Sequence, residues 1–324
     1  MKAGKSHRLD GLEPDNLLAF LSLLGLLRAL EASCEGLCPR AGWGIDRPPV
    51  RPKLVLSREI TPEEISEMAA KGLETIAADY EFDGRKDLNY SERECRELLV
   101  NEAKASSLTR RGRVDVLASL MSDAAIKDDK GESVDPTPLC LLFGQGHQHF
   151  LERLASVPRQ AAPPPRGNKR NAVTISAQHC LLEALFEPWH RNDPTTSFRW
   201  DPAEDVRYSL MAGDPTDTAY KTGTQHGANR LAAIGLATLT LAPEMRAGRV
   251  RPAVIGGLSG AGGFSFAFPI WREAATLSAI CALLSHPDLR KPEGLKHLGV
   301  HHVLVAQRIS VGKFMNFSRA RSVS

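Results

Sequence analysis

Cysteine is sparse in this chain and follows no pattern. Six cysteines lie at 34, 38, 95, 140, 180 and 281, and only Cys34 and Cys38 are close together. That spacing makes neither a zinc finger nor a disulfide framework, so a reducing, cytoplasmic setting is expected. Long hydrophobic runs are missing too. The run from Leu17 to Leu27 is interrupted by Ser22 and stopped by Arg28, too short to span a bilayer, and Asp10, Glu13 and Asp15 precede it. No membrane partner is expected. Net charge is small, +3 from 41 basic and 38 acidic residues, so bulk charge names no polyanionic partner.

Catalytic signatures are also lacking. Gly144-Gln145-Gly146 matches neither G-x-G-x-x-G nor a P-loop, which excludes nucleotide binding on motif grounds. His147 and His149, or His297 and His301, have no cysteine or carboxylate at ligand spacing, so neither metal nor cofactor is expected. Ser259 lies in Gly257-Leu258-Ser259-Gly260-Ala261-Gly262, which is not a nucleophile elbow and reads as a hairpin.

What the chain does have is the composition of a globular protein, 42% apolar and 24% charged over 324 residues, enough for one large core or two modest ones. Asp15 or Asn16 should cap a helix running to about Ala32, apolar all round and therefore buried. Gly25 in its middle suggests close approach of another backbone, and Arg28 calls for an ion-pair partner. Thr61-Pro62-Glu63-Glu64 starts a second helix, Ser91 to Ser106 a third, and Ala177 to Phe186 a further one. Strands are expected at Lys53–Ser57, Val114–Leu117, Leu139–Phe143 and His301–Val311, and at Trp200 and Tyr208. Val250–Gly256 and Gly263–Phe268 read as a pair, followed by a helix over Arg272–Ser285.

Three prolines and the run Arg166-Gly167-Asn168-Lys169-Arg170 mark 161–171 as a linker. It divides an N-terminal lobe, 1–160, holding the leucine-rich helix, from a C-terminal lobe, 172–324. Helices and strands mix without regular alternation, which points to an α+β fold with short, mostly antiparallel sheets in two lobes.

Polar chemistry concentrates between Ser197 and Leu241. Thr224 is the expected N-cap of an apolar helix whose first turns would display Gln225, His226, Asn229 and Arg230 where an anion is favoured. Arg199, Arg207 and Lys221 add donors, and Phe198, Trp200, Tyr208 and Tyr220 are interleaved with them. Donors beside rings suit a nucleic-acid backbone and splayed bases. Basic loops at Arg110-Arg111-Gly112-Arg113 and at Lys169 and Arg170 would assist, and Arg246 to Arg251 is a further basic run.

Two segments carry a family resemblance. Leu9-Asp10-Gly11-Leu12-Glu13-Pro14-Asp15-Asn16-Leu17-Leu18, continuing to Leu30, is the first. The second combines Arg199-Trp200-Asp201-Pro202, Asp205, Arg207-Tyr208 and His226-Gly227-Ala228-Asn229-Arg230-Leu231-Ala232. Together, over about a quarter of the chain, they resemble accessory and large-subunit-like proteins of type I-G (formerly I-U) CRISPR systems. The resemblance implies an antiviral role within an RNA-guided complex, with other effector subunits and guide RNA or target DNA as partners. The chain is short for a large subunit and shows no helicase, HD or HNH motif, so no catalytic residue is carried over. The expectation is a non-enzymatic nucleic-acid-associated subunit. Two alternatives stay open: a metal-dependent nuclease or hydrolase using His226 with Asp201, Glu204 and Asp205, and a scaffold docking acidic proteins.

Overall fold

The computed structural model describes residues 6–106, 112–127, 133–142, 149–167, 170–204, 223–311 and 314–323. Among them are eight α-helices and short antiparallel sheets, an α+β architecture. The organising element is α1 (Leu17–Ser33), which Asn16 caps by accepting from the Ala19 N–H at 3.3 Å. Its apolar residues surround the helix axis because partners cover it on several sides.

One partner comes from the other end of the chain. Helix α7 (His226–Leu236) is buried over its whole length and crosses α1 backbone to backbone. A methyl at Gly25 would sit 1.8 Å from the Leu231 carbonyl oxygen, and one at Gly235 would sit 2.2 Å from that of Leu21. The close approach expected at Gly25 is thus to α7. Ser22 pins the crossing through its hydroxyl, 2.9 Å from the Ala228 carbonyl. Arg28 donates to the Ile234 carbonyl at 2.9 Å rather than to a carboxylate.

Helices α2 (Pro62–Ala77) and α3 (Glu92–Ala105) begin with the reciprocal caps Thr61–Glu64 and Ser91–Glu94. Helices α4 (Arg113–Leu120), α5 (Phe150–Ser156), α6 (Ala177–Phe186) and α8 (Leu277–Leu284) complete the set. The strand expected at Val114–Leu117 lies inside α4. Its buried residues Val116, Leu117 and Leu120 follow helical spacing, which the short Val–Asp–Val alternation concealed.

Strands β1 (Ser6–Arg8), β2 (Arg40–Trp43) and β3 (Pro52–Val55) form one sheet, in the order β1-β3-β2. Strands β4 (Leu241–Arg246) and β5 (Arg249–Val254) make a hairpin. Strands β6 (Gly257–Gly260), β7 (Gly263–Trp271), β8 (Val300–Val311) and β10 (Arg321–Ser322) form the largest sheet, with β9 (Phe314–Phe317) also paired to β8. Residues 250–254 therefore pair with β4 instead of with 263–268, while the Gly256 carbonyl accepts from the Ala267 N–H at 2.8 Å. Residues 139–142 and Trp200 lie outside strands, and Tyr208 is outside the described residues. Phe268 of β7 stacks on Phe20 of α1 at 4.6 Å, which seats the sheet on the central helix.

The expected division into two lobes meets a single apolar core shared by α1, α7 and β7. The described part of 161–171 lies against α7. Arg166 pairs across a bridge with Val173, and the Ala161 carbonyl accepts from Arg230 at 3.0 Å. No described helix is long and apolar enough to cross a membrane.

Candidate functional site

The sequence-predicted donors do not form an open anion site at the start of α7. Gln225, His226, Asn229 and Arg230 are each at most 1% exposed. Thr224 does not cap the helix. Gln225 holds the cap position without a side-chain bond, and the Asp193 carboxylate accepts from the His226 N–H at 2.9 Å. A carboxylate from a distant loop thus supplies the charge that a helix start favours. Asp193 is itself fully buried and receives Arg166 Nε at 2.6 Å. Arg166 also grips both carboxylate oxygens of Glu183, at 2.9 and 2.7 Å.

Arg230 is equally committed. Its guanidinium donates to the Pro158 carbonyl from Nε and Nη2 and to the Ala161 carbonyl from Nη1, and burial pushes its pKa down to about 10. Asn229 Nδ2 donates to the Gln225 carbonyl at 3.2 Å, an intrahelical bond. Burial removes these side chains from display to an external phosphate: His226 and Arg230 tie α7 to the 158–161 segment, Asn229 bonds within the helix, and Gln225 meets Arg191. Apolar helices need their few polar groups satisfied internally, which the sequence pattern does not reveal.

His226 Nε2 lies 2.6 Å from the Gln160 carbonyl oxygen. A carbonyl only accepts, so Nε2 carries the proton and Nδ1 a bare lone pair. Burial pushes the ring's pKa down to about 4, which keeps it neutral near pH 7. Asp201, one of the three carboxylates suggested to act with it, is bound to Arg191 Nε at 2.6 Å and to Asn16 Nδ2 at 3.0 Å. The histidine and this carboxylate serve separate structural networks. Glu204 accepts from the Ser197 hydroxyl, and burial raises its pKa to about 7. Asp205 lies outside the described residues. Among the described residues no group of three or more His, Cys, Asp or Glu is placed to hold a metal ion.

Of the other predicted contacts, Arg199 is partly buried, and burial lowers its pKa. Arg113 pairs with Asp83 at 3.0 Å and Glu102 at 3.2 Å. Arg170 is exposed. Arg207, Lys221, Arg110, Arg111 and Lys169 lie outside the described residues.

An open concentration of positive charge lies elsewhere, in a cleft of about 360 Å³ between the β4–β5 hairpin, the β6–β7 turn, β8 and the 135–138 loop. Among the described residues, Lys127, Arg246, Arg251 and Arg308 line it with one carboxylate, Asp135, an excess of three positive charges. The arginines are held in place. Arg251 pairs with Asp135 at 2.9 Å, Arg308 donates to the Pro138 carbonyl at 3.1 Å, and Arg246 donates to the Ser259 carbonyl. Glu244 stands 3.5 Å from Arg246 Nε, outside the lining. Each anchor occupies only part of a five-donor guanidinium, so the remaining N–H groups can meet an anion already oriented. The basic run 246–251 was visible in the sequence. Lys127 and Arg308 were not, because only folding brings them to it.

Comparison with known proteins assigns no family: no protein-family model matches the chain, and no curated protein matches it.

Proposed function

We propose that the chain is a non-enzymatic, cytoplasmic, nucleic-acid-binding subunit of a type I CRISPR effector complex, meeting guide RNA or target DNA alongside other subunits. The cleft carries this reading: three anchored arginines and Lys127, against one carboxylate among the described residues, form a concave site suited to phosphodiester oxygens. The resemblance of residues 9–30 and of the segments around Arg199–Tyr208 and His226–Ala232 supports the assignment to an effector complex. Binding is favoured over hydrolysis because His226, Asp201 and Glu204, three of the four residues of the hydrolase alternative, each engage structural bonds.

The test is binding of purified protein to labelled RNA, single-stranded DNA and duplex DNA, with and without magnesium. Binding without strand cleavage, weakened by Lys127→Gln with Arg251→Gln, is the expected result. Cleavage that requires magnesium would overturn the non-enzymatic part. A protein that binds no nucleic acid at low salt yet co-elutes with acidic proteins would favour the scaffold reading.

A further inference from the structure

Arg308 differs from the other cations of the cleft in what lies behind it. Its guanidinium carbon stands 5.5 Å over the Phe264 ring centroid, while Nη1 donates to the Pro138 carbonyl at 3.1 Å. Phe264 is 1% exposed and packs edge-on against Phe317 at 6.2 Å, so its ring is a fixed backing that no ligand reaches. The guanidinium is thereby a planar cation held on one side and anchored at one end, lining a cleft whose aromatic lining residue is covered. A guanidinium in that position can offer its second face to another flat π system.

Resting on the nucleic-acid reading above, we propose that the cleft seats one unpaired nucleotide of a single-stranded segment, its base stacked on Arg308 and its phosphate on Lys127, Arg246 and Arg251. Size and chemistry agree with this. A cleft of about 360 Å³ is at the small end of ligand sites, on the scale of a single nucleotide. Bases within a duplex stack on one another and present only edges, whereas an unpaired base has a free face. The cleft supplies stacking and charge but no carboxamide among its described lining residues, which suits any base in preference to one sequence.

The experiment separates stacking from charge. Arg308→Lys keeps the positive charge and removes the plane. With single-stranded RNA and DNA, the variant should bind at least about fivefold more weakly with an unchanged log–log salt slope. The unaltered protein should discriminate in the same way between a normal strand and one of equal charge carrying consecutive abasic sites, a comparison that needs no mutant to fold. A duplex should bind more weakly than either of its separated strands. Equal affinity for normal and abasic strands, or for strand and duplex, would overturn the stacking site while leaving the nucleic-acid reading intact. Failure to bind any strand at low salt would overturn both.

Discussion

Gly25→Ala tests the crossing on which the core is built. In an isolated helix this change is favourable by about 1 kcal/mol, because alanine has the higher helix propensity. In α1 the added methyl would meet the Leu231 carbonyl oxygen at 1.8 Å, its carbon at 2.5 Å and the Leu231 Cα at 3.1 Å. Ordinary contact needs about 3.5 Å, and backbone cannot rotate aside as a side chain can. The helices must separate, which also stretches the Ser22 bond to the Ala228 carbonyl. Overpacking of a tight core costs about 1–3 kcal/mol, and the upper end applies where neither partner yields. The net expectation is a loss of about 2 kcal/mol, or a fall of about 3 °C in Tm for a chain of this length. Differential scanning calorimetry with Gly260→Ala as the control measures it, since a methyl at Gly260 meets nothing within 4 Å. A Gly25→Ala protein as stable as the parent or more so would refute the backbone-to-backbone crossing.

Two further perturbations address the buried polar groups. Asp193→Ala removes both the acceptor that starts α7 and one partner of Arg166, and should cost about 3 kcal/mol in chemical denaturation; a loss under about 1 kcal/mol would contradict the network. His226 and Glu204 should give opposite pH dependence. The His226 pKa falls from 6.5 to about 4 on folding, so its contribution is present above pH 6.5 and is lost as pH drops towards 4. That of Glu204 rises from 4.5 to about 7, so its contribution is present below pH 4.5 and is lost as pH climbs through 7. The two slopes largely offset each other between pH 4.5 and 6.5. Glu204→Gln should uncover stability rising with pH across that window, and His226→Gln should uncover stability falling; identical profiles for both variants would contradict these environments.

Legibility in the sequence followed the range of the interactions. The starts of α1, α2, α3 and α6 were readable because their caps lie within three residues, as in Thr61–Glu64 and Ser91–Glu94. Gly25 announced a close approach but not its partner, which lies about two hundred residues away. At α7 the local signal misled. Thr224 had the right chemistry for a cap, but Asp193, buried and already paired to Arg166, supplies the bond. Arg230 likewise resembled a phosphate ligand until Pro158 and Ala161 took its donors. The cleft draws its cations from positions 127, 246, 251 and 308, a convergence that no periodicity or spacing encodes.

The central claim, that the cleft neutralises phosphates, is tested most directly by the salt dependence of single-strand binding. Each phosphate neutralised contributes about 0.7 to the log–log slope on a single strand. Lys127→Gln with Arg251→Gln removes two of the cations that hold the one seated phosphate, so the slope should become shallower by about 0.7 and affinity at low salt should fall. A slope and affinity equal to those of the parent protein, with both proteins equally folded, would contradict the account.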